Sequence, residues 1–417
     1  MLFFNSNLAG LAKLIGWNYS LGILKIVLPL GISFYIFKCI SYVIEVYRKS
    51  IPAEQNIEIF ALYIVIFPEL LAGPIDKPQN LIPQLDKGYG FDYDRVTNGL
   101  KLMTWGFFQK WVIADRLAVL VDTIYNDPAS YSGIYFVFAT FLFAIQIYCD
   151  FSAYSDIAIG AGEVLGFKFM KNFNRPYFSK SVSEFWRRWH ISLTTWLRDY
   201  LFLPIAYSTL RKLNNKPFLK IKPEVWAYCT ATVLTMFIAG LWHGASWNFV
   251  IWGSLIGVYL VFSYFTKKIR RRIIKLFRLN RFPKIHKLLS ASITFSLISF
   301  VWIFFRANTI GNAKYIIRHL YTGFSGYFKM VFFNLTTFHF KAISAPFLLG
   351  LKPIEFYFTI LTILFLFAIQ MFQRKRNIRE FISKQHFLIR WTGYIIIIFI
   401  ILLFGKFETR QFIYLQF

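Results

Sequence analysis

The stretch "GLWHGASWNFVIWG", residues 240–253, places one histidine, His243, between two tryptophans, with long apolar runs on both sides. Each run is long enough to cross a bilayer, which predicts two membrane-spanning helices that meet at this stretch. A titratable imidazole at membrane depth is costly unless the protein satisfies it or uses it. His243 is therefore either a hydrogen-bonded packing residue or a functional group.

The composition of the whole chain indicates an integral membrane protein. Of its 417 residues, 57% are hydrophobic, 21% are aromatic and 16% are charged, whereas about a quarter of the residues in a soluble domain are charged. The apolar residues form blocks of roughly 18–25, which is the length that crosses the hydrocarbon core. No polar linker separates the blocks. The sequence therefore predicts an all-α, polytopic membrane protein with a single domain over residues 1–417.

The net charge of +27 is distributed as in a membrane protein. Basic residues lie in short loops between apolar blocks, as the positive-inside rule expects of cytoplasmic loops. Ten Lys or Arg and no acid lie between Lys267 and Lys287, and a second cluster begins at Arg374. Anionic lipid attracts each such residue by about 1 kcal/mol. Membrane lipids are therefore the expected partner of these loops, and nucleic acid is not.

The three cysteines predict neither a disulfide framework nor a metal site. Cys39, Cys149 and Cys229 lie in separate apolar segments, without Cys-x-x-Cys or Cys/His ligand spacing. The N-terminus has no charged region and no clear cleavage site, so a removable signal peptide is not expected.

Nine apolar segments are candidates for membrane-embedded helices, at about residues 21–46, 57–75, 97–124, 135–167, 224–244, 247–265, 288–305, 355–373 and 391–408. About eight or nine spans are expected from them. The segment 97–124 carries Lys110 and Asp115 among other charges, which favours a tilted, broken or interfacial helix. Residues 307–352 are mixed in polarity and predict a surface helix with a loop.

The hairpin formed by 224–244 and 247–265 has a predicted orientation. The basic loops 211–222 and 267–287 flank its two feet. Both feet should therefore be cytoplasmic. The His243 stretch then lies inside the membrane or toward its far side.

The stretch "EFWRRWHISLTTWLRDYLFLP", residues 184–204, predicts an amphipathic helix rather than a span. Its apolar helical stripe consists of Phe185, Trp189, Leu193, Trp196 and Tyr200. Charged residues off the stripe include Arg187, Arg188, Arg198 and Asp199. One interpretation is an ordinary interfacial helix. The other is a cytoplasmic gate, with His190 near its centre and arginines that meet an anionic, phosphate-bearing donor.

Two interpretations of His243 stay open on the residues alone. It is either a helix-packing histidine or a general base or acid, since imidazole titrates near neutral pH. In the second case Trp242 and Trp247, the tryptophans on either side of His243, would keep water from an activated acyl group. Trp242 and Asn248 are candidates for the substrate path.

Polar residues interrupt the apolar segment "QIYCDFSAYSDIAIG", residues 146–160. Gln146 pairs with Asp150 and Ser152 pairs with Asp156 at helical spacing. Acids at membrane depth rarely face lipid, so these residues predict either a substrate path or interhelical hydrogen bonds. The stretch "FPELLAGPI", residues 67–75, breaks its helix and is interpreted as a tunnel wall, or else as a plain loop.

The ordered set of motifs resembles the bacterial membrane-bound O-acyltransferase family, most closely its alginate O-acetyltransferase branch. The motifs that carry the resemblance are "PLGISFYIFKCISYVIEVYR", "FPELLAGPI", "QIYCDFSAYSDIAIG", "NRPYFSKSVSEFWRRWHISLTTWLRDYLFLPI", "GLWHGASWNFVIWG" and "FETRQFIYLQF". The resemblance implies a ring of tilted and re-entrant helices around a central tunnel. It also implies that His243 is catalytic and that His190 is functional on the cytoplasmic side. Family members usually begin with two or three further spans, which this sequence is expected to lack.

The resemblance implies O-acylation, most simply O-acetylation, of an extracellular polysaccharide or of peptidoglycan, either directly or through a partner. The expected donor is acetyl-CoA or an acyl carrier, without a tightly bound cofactor or metal. The expected partner is an extracytoplasmic, esterase-like acetyltransferase, and the expected location is the cytoplasmic membrane. The alternatives are D-alanyl transfer to teichoic acid and, in a different class, a transporter or flippase. A membrane glycosyltransferase would need paired acids near a loop, and no convincing pair is present.

Overall fold

The computed structural model describes residues 31–214, 216–244, 246–336, 345–407 and 410–413, and helices dominate it. The α-helices are α1 Ile32–Tyr47, α2 Ile57–Val65, α3 Pro78–Leu85, α4 Tyr93–Phe107, α5 Asp115–Asn126, α6 Ile134–Leu165, α7 Val182–Trp186, α8 Ile191–Leu197, α9 Leu203–Lys212, α10 Pro223–His243, α11 Trp247–Phe265, α12 Lys267–Leu276, α13 Pro283–Arg306, α14 Ile310–Arg318, α15 Phe324–Thr336, α16 Pro353–Phe372, α17 Ile378–Ser383 and α18 Phe387–Phe404. Two π-helical segments, Phe108–Ala114 and Arg198–Phe202, join α4 to α5 and α8 to α9. Over the described ranges the extended structure amounts to one isolated bridge, between Phe218 and Ile221.

The prediction of an all-α, multi-pass membrane protein is confirmed. Six of the described helices are long and apolar enough to cross a bilayer, namely α6, α10, α11, α13, α16 and α18. They correspond to the last six predicted segments, apart from shifts of a few residues at their ends. The hairpin of α10 and α11 is antiparallel, so its basic feet lie at one end and His243 lies at the other.

Helix α6 runs through the interior of the molecule. Its most apolar stretch is 72% buried, against 6% for the peripheral helix α18. At 1.5 Å per residue its 32 residues extend about 48 Å, which exceeds the roughly 30 Å hydrocarbon core. It packs backbone to backbone against α4, because a Cβ on Gly160 would lie 2.6 Å from the carbonyl oxygen of Gly99. The side chains of α6 consequently reach deep into the protein.

The charged segment predicted at 97–124 forms a broken helix, as expected. Helices α4 and α5 run on from each other through the π segment Phe108–Ala114. The wider turn of a π segment re-aims the side chains within it. Gln109 and Lys110 lie in this segment and are buried against α6.

The span predicted at 57–75 is wrong. Helix α2 ends at Val65, so its nine residues extend only about 14 Å. The chain then turns irregularly through "FPELLAGPI". The buried Glu69 of this turn forms a 2.5 Å ion pair with Lys38 of α1. The irregular backbone expected for this stretch is thus confirmed, and an interior ion pair holds it.

The single amphipathic helix predicted at 184–204 is also wrong, although all five residues of its apolar stripe are buried. The chain divides there into α7, α8 and a π segment. The break falls at His190, whose backbone is left-handed with φ 44° and ψ 55°. That conformation costs about 1–2 kcal/mol for a residue with a side chain. Both α7 and α8 are too short to cross a membrane, which fits the predicted re-entrant arrangement.

The N-terminal predictions fall outside the described residues. The beginning of the segment 21–46 and the expected lack of further N-terminal spans concern residues 1–30 or what precedes them. The end of that segment is confirmed, since α1 stops at Tyr47.

Candidate active site

His243 lies inside the protein and not on its lipid-facing surface. It is the last residue of α10 and is 4% exposed. Its imidazole ring packs edge-on against the rings of Trp252 and Phe305, at centroid distances of 4.8 and 5.4 Å. The Trp242 ring lies 4.7 Å away. Aromatic side chains therefore enclose the imidazole and exclude bulk water from it.

The aromatic enclosure differs in part from the prediction. Trp242 contributes to it and also contacts Phe37 of α1 at 5.2 Å. Trp247, the other tryptophan of the motif, is 52% exposed, whereas His243 is buried. Trp252 lies against the imidazole instead, because it is five residues further along α11 and faces inward. The i, i+5 spacing of the two tryptophans puts them on different faces of that helix.

A cavity of about 720 Å³ adjoins the His243 enclosure, at the end of the hairpin away from the basic loops. Phe249 and Phe305 form part of its wall and also contact the imidazole. We call this space the tip cavity. Its polar lining includes Lys110, Asp115, Asp122, Gln146, Asp150 and Asn248. The lining carries three basic and three acidic side chains, so the cavity is polar without a large net charge.

The four candidate residues on α6 divide into two groups. Gln146 and Asp150 line the tip cavity, as a substrate path requires. Ser152 donates a 2.7 Å hydrogen bond to Gln109, and Gln109 donates a 2.9 Å hydrogen bond to Asp156. Ser152 and Asp156 therefore bind the π segment and are not part of the cavity wall. For these two residues the hydrogen bonds are those of the interhelical alternative.

Lys110 joins two carboxylates at the base of the tip cavity. Its Nζ atom lies 2.7 Å from Asp150 and 2.9 Å from Asp115. Asp150 also accepts a 2.8 Å hydrogen bond from the backbone N–H of Ile413. The sequence interpretation did not place Lys110 and Asp115 in the site. The signal was present, because opposite charges in one apolar segment have to find partners.

Asn248 and its neighbours shape the wall of the tip cavity beside His243. Its side-chain amide donates a 2.6 Å hydrogen bond to the carbonyl of Ala307, directly after α13. At the mouth, Arg306 and Arg410 each contact Asp122 at 2.6 Å. The end of α13 and the segment 410–413 are thus fixed around the opening.

His190 lies on the other side of Trp242. It is 1% exposed, and its ring centroid is 6.5 Å from that of Trp242. Its Nδ1 atom lies 3.2 Å from the side-chain oxygen of Asn172. The two histidines thus share one tryptophan neighbour, although His190 lies between α7 and α8, His243 ends α10, and they are 53 positions apart.

The predicted arginines separate into two groups on the side of the basic loops. Arg198 forms a 2.7 Å ion pair with Asp199, and Asp199 also pairs with Lys77. Partial burial acts to raise the pKa of Asp199, but hydrogen bonds from Arg198 and Lys77 outweigh it and hold the pKa below its ordinary value. Asp199 lines a second cavity of about 650 Å³ together with Arg48 and Arg211.

Arg187 and Arg188 do not line that second cavity. Arg187 is exposed, and Arg188 pairs with Glu184 at 2.6 Å. Arg188 belongs to a cluster that we call the basic patch, which comprises Lys180, Arg188, Lys287 and Arg374. The other three cations act electrostatically on Lys287, and Glu184 is the acid that acts on it as well. The described residues contain no group of His, Cys, Asp and Glu arranged to hold a metal ion.

Comparison with known proteins relates both histidines to one family. The model of the membrane-bound O-acyltransferase family (MBOAT) matches residues 55–306, which include His190 and His243. The chain is 39% identical to the Azotobacter vinelandii protein named "Probable alginate O-acetylase AlgI", over 68% of this chain and 52% of that protein. It is 31% identical to the Helicobacter pylori peptidoglycan O-acetyltransferase, over 72% of this chain and 58% of that protein.

A third similarity is weaker. The chain is 27% identical to the Bacillus subtilis teichoic acid D-alanyltransferase, over 66% of this chain and 68% of that protein. The chain spans about half the length of the alginate O-acetylases that it matches.

Proposed function

Since the chain belongs to the membrane-bound O-acyltransferase family, we propose that it is an O-acyltransferase in which His243 is the general base. The observation that carries the proposal is the position of His243, enclosed by aromatic rings beside a polar cavity. A histidine with only a packing role would not require a polar cavity next to the aromatic rings that enclose it. The acceptor would enter through the tip cavity and the donor from the side of the basic loops.

The chemical step follows from the two substrates. His243 takes the proton of the acceptor hydroxyl as its oxygen forms a bond to the acyl carbon. The carbon–sulfur bond of a thioester donor breaks, and the leaving thiolate takes up the proton from the imidazolium. General-base help of this kind is worth about 10²–10⁴-fold. Exclusion of water by the aromatic enclosure protects the thioester from hydrolysis.

Two buried tryptophan N–H groups would assist this step. The Nε1 atoms of Trp242 and Trp252 are buried and have no hydrogen-bond acceptor among the described residues. A buried donor without an acceptor costs about 1–3 kcal/mol. A carbonyl oxygen of the bound acyl group would be a suitable acceptor, and it becomes more negative during the attack.

The basic patch supports a phosphate-bearing donor, either acetyl-CoA or an acyl carrier, which acts as a substrate rather than a resident cofactor. Arg188 of the patch lies two residues before His190 in the chain, and the patch holds four cations around one acid. Arginine is well suited to phosphate because its planar group donates two hydrogen bonds in parallel.

The proposed acyl group is acetyl, and the proposed acceptor is an extracellular polysaccharide or peptidoglycan. The higher identity to the two O-acetyltransferases than to the D-alanyltransferase favours acetyl over D-alanyl transfer. An extracytoplasmic acetyltransferase of the esterase type is the proposed partner on the tip-cavity side. The proposed location is the cytoplasmic membrane.

The proposal is tested by expressing the chain in a host that makes an extracellular polysaccharide and measuring base-labile acetate on the polysaccharide and on peptidoglycan. We expect acetate to accumulate only when the chain is present. Ester-linked D-alanine in its place would favour teichoic acid modification. Uptake of a labelled solute without any new ester would favour a transporter and contradict the proposal.

Replacing His190 with alanine should lower acyl transfer by about 100-fold or more, because a general acid–base group would be lost at the donor side. The measurement is transfer from [14C]acetyl-CoA in membrane vesicles at several donor concentrations. The variant protein must be present in the membrane at the wild-type level. Wild-type kinetics would reduce His190 to a packing residue.

Cysteine labelling should place the basic feet of the hairpin in the cytoplasm. In a chain without its three native cysteines, Lys268→Cys should react with an impermeant maleimide only after the cells are opened. Lys314→Cys, on α14 at the opposite end of α13, should react in intact cells, because α13 crosses the membrane between the two positions. The reverse pattern would overturn the orientation.

A further inference from the structure

The side chain of Asn172 makes four hydrogen-bond contacts in the interior of the protein. Asn172 is 0% exposed. Its amide nitrogen donates to the hydroxyl of Ser155 at 3.0 Å. Its amide oxygen accepts from the backbone N–H of Ser192 at 3.3 Å and from the hydroxyl of Ser192 at 3.0 Å. The fourth contact is with Nδ1 of His190 at 3.2 Å.

These contacts determine where the proton of His190 lies. A backbone N–H group only donates, so the atom of Asn172 that faces Ser192 has to be the amide oxygen. That same oxygen faces Nδ1 of His190. An amide oxygen only accepts, so Nδ1 has to carry a proton. In the neutral imidazole the lone pair is then on Nε2.

Asn172 also fixes the backbone beside His190. Its carbonyl oxygen accepts a 2.9 Å hydrogen bond from the N–H of Ile191. A non-glycine residue keeps a left-handed backbone only where its surroundings determine it. One asparagine thus contacts both the ring of His190 and the peptide that follows it.

We propose that Asn172 is a positioning residue that keeps the His190 proton on Nδ1 and so leaves Nε2 as the basic nitrogen of His190, on the donor side of His243. The catalytic part of this proposal rests on the proposed function of His190. The tautomer part rests on the hydrogen bonds alone. The two parts are therefore separable by experiment.

Substitutions at Asn172 distinguish positioning from simple packing. Asn172→Ala removes the acceptor for Nδ1. Asn172→Asp keeps an acceptor of the same shape and adds a negative charge, which favours the imidazolium. Among the described residues, His243 is the titratable group whose charge acts on His190. The added carboxylate should therefore be the strongest charge acting on the His190 ring. As a result, the acid limb of the plot of transfer rate against pH should move to higher pH.

The tautomer is measured by ¹⁵N NMR of histidine-labelled protein in lipid bilayers, with His190→Gln to identify the His190 signals among the six histidines. We expect a protonated Nδ1 in the wild-type chain, in Asn172→Asp and in the control Ser155→Ala, with the lone pair on Nε2 at any pH where the ring is neutral. In Asn172→Ala we expect the Nε2-protonated form to appear. A wild-type His190 that is protonated on Nε2 would overturn the proposal, even if Asn172→Ala does not fold.

The kinetic measurement is transfer from [14C]acetyl-CoA as a function of pH. Asn172→Ala should lower kcat by about 10–100-fold, the range for loss of an outer hydrogen-bond partner of a functional histidine. Asn172→Asp should recover part of that loss, with its acid limb at higher pH. If the tautomer changes as expected while transfer stays at the wild-type rate, the catalytic role of His190 is wrong and the positioning role of Asn172 stands. An unchanged tautomer in Asn172→Ala contradicts the positioning role.

Discussion

Replacing His243 with glutamine should reduce acyl transfer by about two orders of magnitude or more, because glutamine cannot take up the proton of the acceptor hydroxyl. Glutamine is similar to histidine in volume and still forms hydrogen bonds, so the aromatic enclosure by Trp252 and Phe305 should persist. The measurement is base-labile acetate on the polysaccharide in cells, together with initial rates from [14C]acetyl-CoA in vesicles.

The matched control for this variant is His386→Gln, since His386 is exposed at the start of α18, away from the tip cavity. It should transfer acyl groups at the normal rate. Both variants should insert and melt like the wild-type chain, which separates lost chemistry from lost packing. Normal transfer by His243→Gln would refute the proposed mechanism.

Replacing Lys110 with methionine should lower the free energy of unfolding by about 3–5 kcal/mol, the range for removing one partner of a buried ion pair. Lys110 and both of its carboxylate partners are at most 4% exposed. Its removal leaves Asp115 and Asp150 without their cation at the base of the tip cavity. The measurement is the loss of folded protein in detergent against temperature or denaturant.

Two further variants make the Lys110 prediction specific. Lys384→Met breaks an exposed ion pair with Glu380 and should melt like the wild-type chain, because exposed pairs contribute little. Adding Asp115→Asn and Asp150→Asn to Lys110→Met should recover part of the lost stability, since the buried charges are then absent. A Lys110→Met protein as stable as the wild type would show that these charges are not paired in the folded chain.

Much of the fold follows from the sequence because the residues of a membrane-spanning helix form one continuous apolar segment. Segments such as 134–165 and the 223–265 hairpin are long apolar runs, and their length alone predicts a span. The sequence interpretation was wrong where a distant contact decides the backbone. The break at His190 coincides with hydrogen bonds that Asn172, eighteen positions earlier, accepts from the His190 ring and the N–H of Ile191. The turn after α2 is held by Lys38, thirty-one positions before Glu69.

The sequence predicted the two histidines of the candidate site, but it did not predict the residues that surround them. Both histidines were recognised because a titratable ring in an apolar segment stands out, and a family resemblance supported the choice. Trp252 was missed because the local motif drew attention to the exposed Trp247. Lys110 was missed because its partner Asp150 lies forty positions away on another helix. Pairing across helices depends on tertiary packing, which a single sequence does not reveal.

In the two π segments the number of residues matters more than their identity. A π segment is an α-helix with one residue more than the regular turn requires. Deleting a single residue between Phe108 and Ala114 would restore a regular helix and re-aim the side chains within the segment. Lys110 would then turn away from Asp150, although both residues of the ion pair would still be present in the sequence. Between Arg198 and Phe202 the same deletion would turn Asp199 away from Lys77. Homologous chains should therefore tolerate substitutions in these segments far better than single-residue deletions, whatever residue is removed.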